Sequence, residues 1–469
     1  MFLALDSISK PNQNALVDSY GNSITFKELI EFTKDLTSVF GNRDLVFLLS
    51  NNEIGSAALY YACLSSKVVP LIIGADISIQ QFEDLKETYH PQYICYPSRQ
   101  QEKWKTYCGD HITSLLDYGI AKTNFKTIQL HRNLALLLST SGSTGSPKLV
   151  RHSYDNIESN AKNVAKIFNI NKEDKPIAFL PLQYTMGLSV LTSYLYAGAT
   201  VYLTDLNLTD KKFWEYLESS QITNFTGVPF SFEILNKLRF FRKNKYPSLN
   251  IISQGGGKLS EELYTTIANY CSENQIEFIP TYGQTEATAR MCFLPSDKSL
   301  AKVCSIGKAI PEGKVYLVND QRQIVNQTGI AAEMVYEGPN VTMGYARNYF
   351  DLSKNDEFKG VLFTGDIAYQ DEEGYFFIVG RKKRFLKLYG LRVSLDVVEH
   401  SIKNNFKTDV YCTGDDTQLK VIITEEKLLE DVRHYVLEFT KLYHKAVEVV
   451  FKEHIPRNES GKVRFNGKA

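Results

Sequence analysis

Short apolar runs alternate along the chain with longer stretches whose apolar residues recur every three to four positions. Residues 44–50, 68–73, 92–96, 134–139, 177–181, 200–203 and 250–253 are runs of strand length, while 54–65, 154–168 and 259–273 carry the spacing of amphipathic helices. Strand and helix in alternation predict an α/β fold with a mostly parallel sheet. From about Val315 the texture turns β-rich and punctuated by turns, and beyond Lys382 a short series of strands and helices reads as a separate unit. The expected architecture is therefore a large N-terminal domain, 1–382, of mixed α/β subdomains plus a β-rich subdomain, followed by a small C-terminal α+β domain, 383–469. No internal repeat and no low-complexity linker marks the junction, so a hinge is expected there rather than a tether.

Composition narrows the classes of function. Of 469 residues, 43% are hydrophobic and 23% charged, enough for a large core and too apolar for disorder. Lys plus Arg and Asp plus Glu both number 53, and this balance argues against a dedicated binder of nucleic acid or anionic membrane, whose affinity rests on a basic excess. The 7 cysteines are odd in number and none form CxxC, so reduced thiols in a cytoplasmic protein are expected instead of a disulfide or zinc framework. The N-terminal Met-Phe-Leu-Ala-Leu-Asp6 meets a charge too early for a signal peptide. No apolar run approaches the ~18 residues of a membrane span, so no membrane insertion is expected.

Candidate chemistry begins at Ser139-Thr-Ser-Gly-Ser-Thr-Gly-Ser-Pro-Lys148, directly after the apolar run that ends at Leu138. Six hydroxyl residues and two glycines in positions 139–146 supply backbone and side-chain donors that can wrap a polyphosphate, with Lys148 adding a positive charge. A Walker A loop needs Gly-Lys-Ser/Thr at its end; Pro147 and Leu149 occupy the flanking places here, which disfavours a P-loop NTPase. The alternative on composition alone is a flexible Ser/Gly surface loop.

The loop resembles that of the adenylate-forming superfamily of acyl-CoA synthetases, AMP-dependent ligases and luciferases, Thr-Ser-Gly-Ser-Thr-Gly-x-Pro-Lys-Gly, and further segments similar to that family follow in its order. They are Pro181-Leu-Gln-Tyr-Thr-Met-Gly-Leu188, Thr281-Tyr-Gly-Gln-Thr-Glu286, Gly338-Pro-Asn-Val-Thr-Met-Gly-Tyr345, Thr364-Gly-Asp366, Gly380-Arg381, Lys387-Leu-Tyr-Gly-Leu-Arg-Val393 and residues 456–462. The chemistry such a set serves answers a general obstacle: a carboxylate does not react with a thiol, because its leaving group would be an oxide. Attack of the carboxylate on the α-phosphorus of ATP expels pyrophosphate and leaves a reactive acyl adenylate. Two anions meet in that step, so cations and oriented donors are required where charge develops, together with a Mg²⁺ ion held by few protein ligands.

What the resemblance implies is residue-specific. Thr140, Ser141, Gly142, Ser143, Thr144, Gly145 and Lys148 would hold ATP phosphates; Tyr282 would stack on adenine beside Gly283 and Gln284; Thr285 would donate to the α-phosphate; Glu286 would hold Mg²⁺. Asp366 and Arg381 would reach the ribose, and Gly256 and Gly257 the nucleotide. Taken singly, an aromatic such as Tyr282 is ordinary core and an Asp after Gly is a turn residue. Lys462, by sequence physics a solvated terminal lysine, would enter the site to neutralise charge between carboxylate and α-phosphate. The small C-terminal domain would be a mobile lid that then swings about Lys383, withdrawing Lys462 and presenting Lys387 and the thiol tunnel at Gly390. The run Arg381-Lys-Lys-Arg384 also reads as a plain solvated basic turn.

An acid pocket is expected around Tyr184, Gly187, Ser253 and Gly255. The segment 182–187 contains no carboxylate to pair with an α-ammonium group, which disfavours an amino-acid substrate. Tyr184 stands where the family often has His, Leu149 where it has Gly after the loop lysine, and Ala332 where it commonly has Gly before a Glu. The 138 residues before the loop are few for the family, which favours a short or medium acid. The expected function is ATP-dependent, AMP-forming ligation of a small carboxylic acid to the thiol of CoA or of an acyl carrier protein's phosphopantetheine. Transfer to an amine or hydroxyl, and a catalytically silent nucleotide-binding scaffold, are the alternatives.

Overall fold

The computed structural model describes every residue except 1–2, 4, 6–7, 9, 140–147, 243–245, 389–390, 416, 457–462 and 464–469, and the backbone alone of 383, 385, 387, 391 and 392. Two large sheets dominate. One has eight strands in the order Tyr345–Ala346, Leu149–Ser153, Leu134–Ser139, Val69–Gly74, Leu45–Ser50, Tyr93–Pro97, Tyr118–Lys122 and Asp110–Leu115. The other has nine, in the order Lys308–Ala309, Cys292–Phe293, Glu277–Tyr282, Ile251–Gln254, Asn224–Gly227, Pro176–Ala178, Val201–Leu203, Asn14–Asp18 and Ser23–Thr25. The α/β class holds, and each sheet is parallel at its centre. Both edges of each sheet are antiparallel, four of seven pairings in the eight-stranded sheet.

The helix Ile54–Ser65 departs from the amphipathic expectation: every residue from Ile54 to Leu64 is buried. It touches Leu45–Ser50 and Val69–Gly74 of one sheet, Asn14–Asp18 of the other, and the helix Phe26–Thr37. A helix enclosed on all sides has no polar face to show. Residues 51–53 clamp the two sheets together, since Asn52 Nδ2 donates to the carbonyls of Ala178, Leu180 and Thr204, each at 3.2 Å. Beside it, Glu53 is 3% exposed and paired with Arg99. Burial pushes the Glu53 carboxyl up to about 7 from the ordinary 4.5, against the pull of Arg99 and with repulsion from Asp205, Asp117 and Asp18 adding to it. The folded protein therefore binds a proton here that the unfolded chain releases above 4.5, and this site loses stability as pH rises from 4.5 through 7. Unfolding by urea is expected to lose up to about 3 kcal/mol across that range from this group. Glu53→Gln should flatten that part of the profile, and an unchanged profile would contradict the assignment.

A four-stranded antiparallel sheet, Lys314–Val318, Ala332–Glu337, Val361–Gln370 and Phe376–Arg381, forms the β-rich part. After the turn Lys382–Arg384 come the hairpin Phe385–Leu388 with Leu391–Ser394, the helix Leu395–Phe406 and a three-stranded sheet. The apolar cluster of this last part draws its buried members only from positions between Leu386 and Val447. Two exposed ion pairs tie its helix to the rest, Lys403–Glu233 at 2.8 Å and Lys407–Glu262 at 2.7 Å. Among the described residues no helix is long and apolar enough to cross a membrane.

Candidate active site

The central feature is the turn that follows the strand Glu277–Tyr282. The chain leaves the strand at Gly283, makes a short 3-10 turn, Thr285–Ala287, and returns as Cys292–Phe293. At Gly283 an added Cβ would lie 1.4 Å from the Ala289 carbonyl oxygen, so only glycine lets the two arms close. Thr288 (φ 52°) and Ala289 (φ 80°) are left-handed, a region costly for β-branched side chains. Asn340 compensates: its carbonyl accepts from Thr288 Oγ1 at 2.9 Å, and its Nδ2 donates to the carbonyls of Ala287 (2.8 Å) and Arg290 (3.1 Å).

On one side of this turn lies Asp366. It sits opposite Arg381 in the pairing of the strands Val361–Gln370 and Phe376–Arg381, and Arg381 Nε approaches Asp366 Oδ1 at 3.3 Å. The hydroxyl of Tyr282 donates to Asp366 Oδ2, and Gln284 Nε2 donates to the same oxygen at 2.9 Å and to the Thr364 carbonyl at 3.0 Å. Burial, and then the neighbouring carboxylate, push the Tyr282 phenol well up, so it stays a donor. Asp366 is buried, and these donors offset the cost of removing its charge from water. Tyr282, Gln284, Asp366 and Arg381 thus form one connected group.

On the other side stand Thr285 and Glu286. Thr285 Oγ1 lies 3.0 Å from Thr185 Oγ1, at the start of the helix Thr185–Tyr196. Glu286 Oε1 accepts from the Tyr345 hydroxyl at 2.8 Å, and the Glu286 carbonyl accepts from both Thr342 N and Thr342 Oγ1 at 3.0 Å. Over the ring of Tyr345, at 3.7 Å, sits Lys148 Nζ. Tyr345 pairs in register with Val150, and its loop is anchored by the fully buried guanidinium of Arg151, which donates to Met343 O (2.7 Å) and Asn355 O (3.1 Å) and pairs with Glu357 (2.8 Å). Burial and the Glu286 carboxylate raise the Tyr345 phenol, so it too remains a donor. Glu286 Oε2 has no partner among the described residues. Those residues hold no group of three or more His, Cys, Asp or Glu able to bind a metal, so a cation at Glu286 would complete its shell with phosphate oxygens and water, as Mg²⁺ does.

The floor is the segment after the strand Ile251–Gln254. A Cβ on Gly255 would lie 2.3 Å from Met186 Cε and 2.8 Å from Thr281 Oγ1, Gly256 has φ +77°, and Gln254 Nε2 donates to Gly257 O at 2.7 Å. Ser253 is buried, and its Oγ has no partner among the described residues. Tyr184 is half-buried at the N-cap of the helix Thr185–Tyr196, and a Cβ on Gly187 would meet the carbonyls of Leu180 and Pro181 at 2.5 and 2.4 Å. Gly187 therefore serves the close start of that helix.

Sequence reasoning placed the two sides of the turn but did not find the residues that orient them: Thr185, Arg151, Tyr345 and Asn340. Thr185, Asn340 and Tyr345 lie within matched segments, yet nothing local says which group each of them meets. Thr140, Ser141, Gly142, Ser143, Thr144, Gly145, Gly390 and Lys462 lie outside the described residues, and Lys383 and Lys387 fall on the turn Lys382–Arg384 and the strand Phe385–Leu388.

Comparison with known proteins adds to this geometry. A family model described as "AMP-binding enzyme" matches residues 7–346. A 2-succinylbenzoate–CoA ligase of Listeria monocytogenes is 26% identical over 97% of this chain and 96% of its own. An oxalate–CoA ligase of Arabidopsis thaliana is 28% identical over 70% of this chain and 66% of its own. Among solved structures, the o-succinylbenzoate coenzyme A synthetase MenE of Bacillus subtilis, in complex with AMP, superposes with a TM-score of 0.80 at 21% identity, covering 99% of this chain and 97% of that one. The same enzyme has been solved with ATP and a magnesium ion, and that structure matches with a TM-score of 0.78.

Proposed function

The chain belongs to the AMP-binding enzyme family, and from that premise we propose that it activates a small carboxylic acid with ATP and passes the acyl group to the thiol of CoA. The observation that carries this reading is the single turn after Tyr282, which joins a base-and-ribose side (Tyr282, Gln284, Asp366, Arg381) to a phosphate-and-cation side (Thr285, Glu286, and Lys148 through Tyr345).

In the first half-reaction an oxygen of the acid attacks the α-phosphorus, the bond to the bridging oxygen breaks, and pyrophosphate leaves. Tyr282 offers its face to adenine while its hydroxyl stays tied to Asp366, whose remaining acceptor capacity, with Arg381, takes the ribose. Thr285 donates to the α-phosphate, and Lys148 with the loop 140–145 gathers the β- and γ-phosphates. Glu286 would hold Mg²⁺, which would supply charge neutralisation for the leaving pyrophosphate. Lys462 stabilises the charge shared between acid and α-phosphate. The acid rests against Ser253, Gly255 and Tyr184.

The second half-reaction is assigned to the part after Lys382. Its separate apolar cluster and the exposed ion pairs that tie its helix to the rest, each worth little, support a division at 382/383; Lys383 is assigned as the pivot, and Lys387 and Gly390 to the thiol step. CoA is preferred over a carrier protein's phosphopantetheine because the curated relatives are named as CoA ligases. The unpaired cysteines, all buried but Cys304, support a cytoplasmic setting.

The test is acid-dependent exchange of labelled pyrophosphate into ATP over a panel of mono- and dicarboxylic acids, followed by CoA and a phosphopantetheinylated carrier as acceptors. At least one short or medium acid is expected to support exchange, and its adenylate to form a CoA thioester. If no acid supports exchange, the ligase reading falls and a nucleotide-binding scaffold takes its place.

A further inference from the structure

His152 lies on the strand Leu149–Ser153, fully buried, in a position that none of the steps above uses. Its Nδ1 is 3.3 Å from Thr288 Oγ1. The Thr288 hydroxyl has one proton and gives it to the Asn340 carbonyl, which cannot donate in return. The hydroxyl oxygen must therefore accept from His152, so the proton of the imidazole sits on Nδ1. Burial pushes the His152 pKa down to about 3, so the ring is neutral and Nε2 carries a bare lone pair.

That lone pair has no partner among the described residues, and neither has Ser193 Oγ. Both residues line one small cavity of about 20 Å³, which Thr185 and Thr288 also border. A space of this size takes one water, and buried water is the usual partner of polar atoms that the protein itself leaves unsatisfied. Thr288 closes the turn that carries Thr285 and Glu286, and it does so at a left-handed φ that its surroundings must enforce.

We propose that His152 is a positioning residue for the first half-reaction: its Nδ1–H, with the tautomer fixed by the hydrogen bond from Thr288 to Asn340, locks Thr288 and so sets the place of the Thr285 hydroxyl and the Glu286 carboxylate. The inference rests on the ligase reading for its kinetic consequence and on the protein alone for its tautomer.

The test compares three variants in pyrophosphate exchange. His152→Ala is expected to lower kcat about 10²-fold, the size of effect that a displacement of about 1 Å brings, with little change in KM for ATP. His152→Asn keeps an N–H near the place of Nδ1 and is expected to restore most of the rate, whereas His152→Gln, which places its amide near Nε2, is not. Equal losses in all three would mean simple packing and overturn the proposal, as would full activity in His152→Ala. Should these variants fail to fold, Thr288→Val keeps the shape and removes the hydroxyl. It is expected to reproduce the loss of rate, and an unchanged rate would overturn the proposal.

Wild-type exchange tests the ligase reading, and the ratios among variants test this one. Imidazole nitrogen NMR of the wild-type protein reads the tautomer without any turnover: a proton on Nδ1 is expected at neutral pH, and one on Nε2 would overturn the inference whatever the enzyme's substrate.

Discussion

Lys462→Ala is expected to lower acid-dependent pyrophosphate exchange by about 10²–10³-fold or more, while the protein still forms thioester from a supplied acyl adenylate at nearly its normal rate. The physical reason is that the first step brings two anions together. A carboxylate approaches an α-phosphate that already carries charge, and the transition state spreads that charge over oxygens on both partners. One ammonium group placed between them in a site from which water is excluded is a strong electrostatic contact, because nothing else there can rearrange to replace it. The second step begins from a neutral acyl carbon and expels AMP, so it does not need the same cation in the same place. Lysine at this position should therefore separate the half-reactions. Equal loss in both would contradict the assignment and with it the rotation of the C-terminal part, because a lysine that served both steps would have no reason to move away.

Glu286→Gln is expected to reduce kcat for exchange by a comparable factor, about 10²–10³, and to raise the Mg²⁺ concentration needed for half-maximal rate. Glutamine keeps an oxygen where Glu286 Oε1 accepts from Tyr345, and the carbonyl contacts with Thr342 do not depend on the side chain. The turn should keep its shape, which leaves the lost charge as the cause. Tyr345→Phe supplies the contrast: it removes the hydrogen bond, keeps the ring under Lys148 and leaves the carboxylate free to turn towards the cation. Its loss should be much smaller. If Glu286→Gln were no worse than Tyr345→Phe, with the magnesium dependence unchanged, Glu286 would be a structural partner of Tyr345 and the cation would have to be held elsewhere.

Much of this site was legible in the chain because its parts come as contiguous words. Residues 281–286 fold into one turn whose shape is set locally, by a glycine that must have no side chain at 283 and by hydrogen bonds from the backbone of Ala287 and Ala289 to the Gln284 carbonyl. The order of matched segments carried the family, and the family carried the roles given to Thr285, Glu286, Asp366 and Lys462. The supporting contacts were not legible. Tyr282 meets Asp366 from 84 residues away, Tyr345 meets Glu286 from 59, and Arg151 reaches Glu357 from 206. The helix Ile54–Ser65 was read with the right bounds and the wrong exposure, because period alone does not tell how many sides a helix will have covered.

By itself, then, the sequence determined what depends on neighbours within a few residues: which stretches become strand or helix, the glycine-bound turn beside Tyr282, and the family; it also set the even balance of charge. The tertiary structure alone decided which side chains face one another. Sheet register places Asp366 opposite Arg381 and Tyr345 beside Val150, and a shift of one residue in either ladder would turn those side chains to the other face. Register depends on the packing of the whole sheet against its helices. That is why the groups that hold, orient and neutralise within the site appear only once the strands are laid side by side.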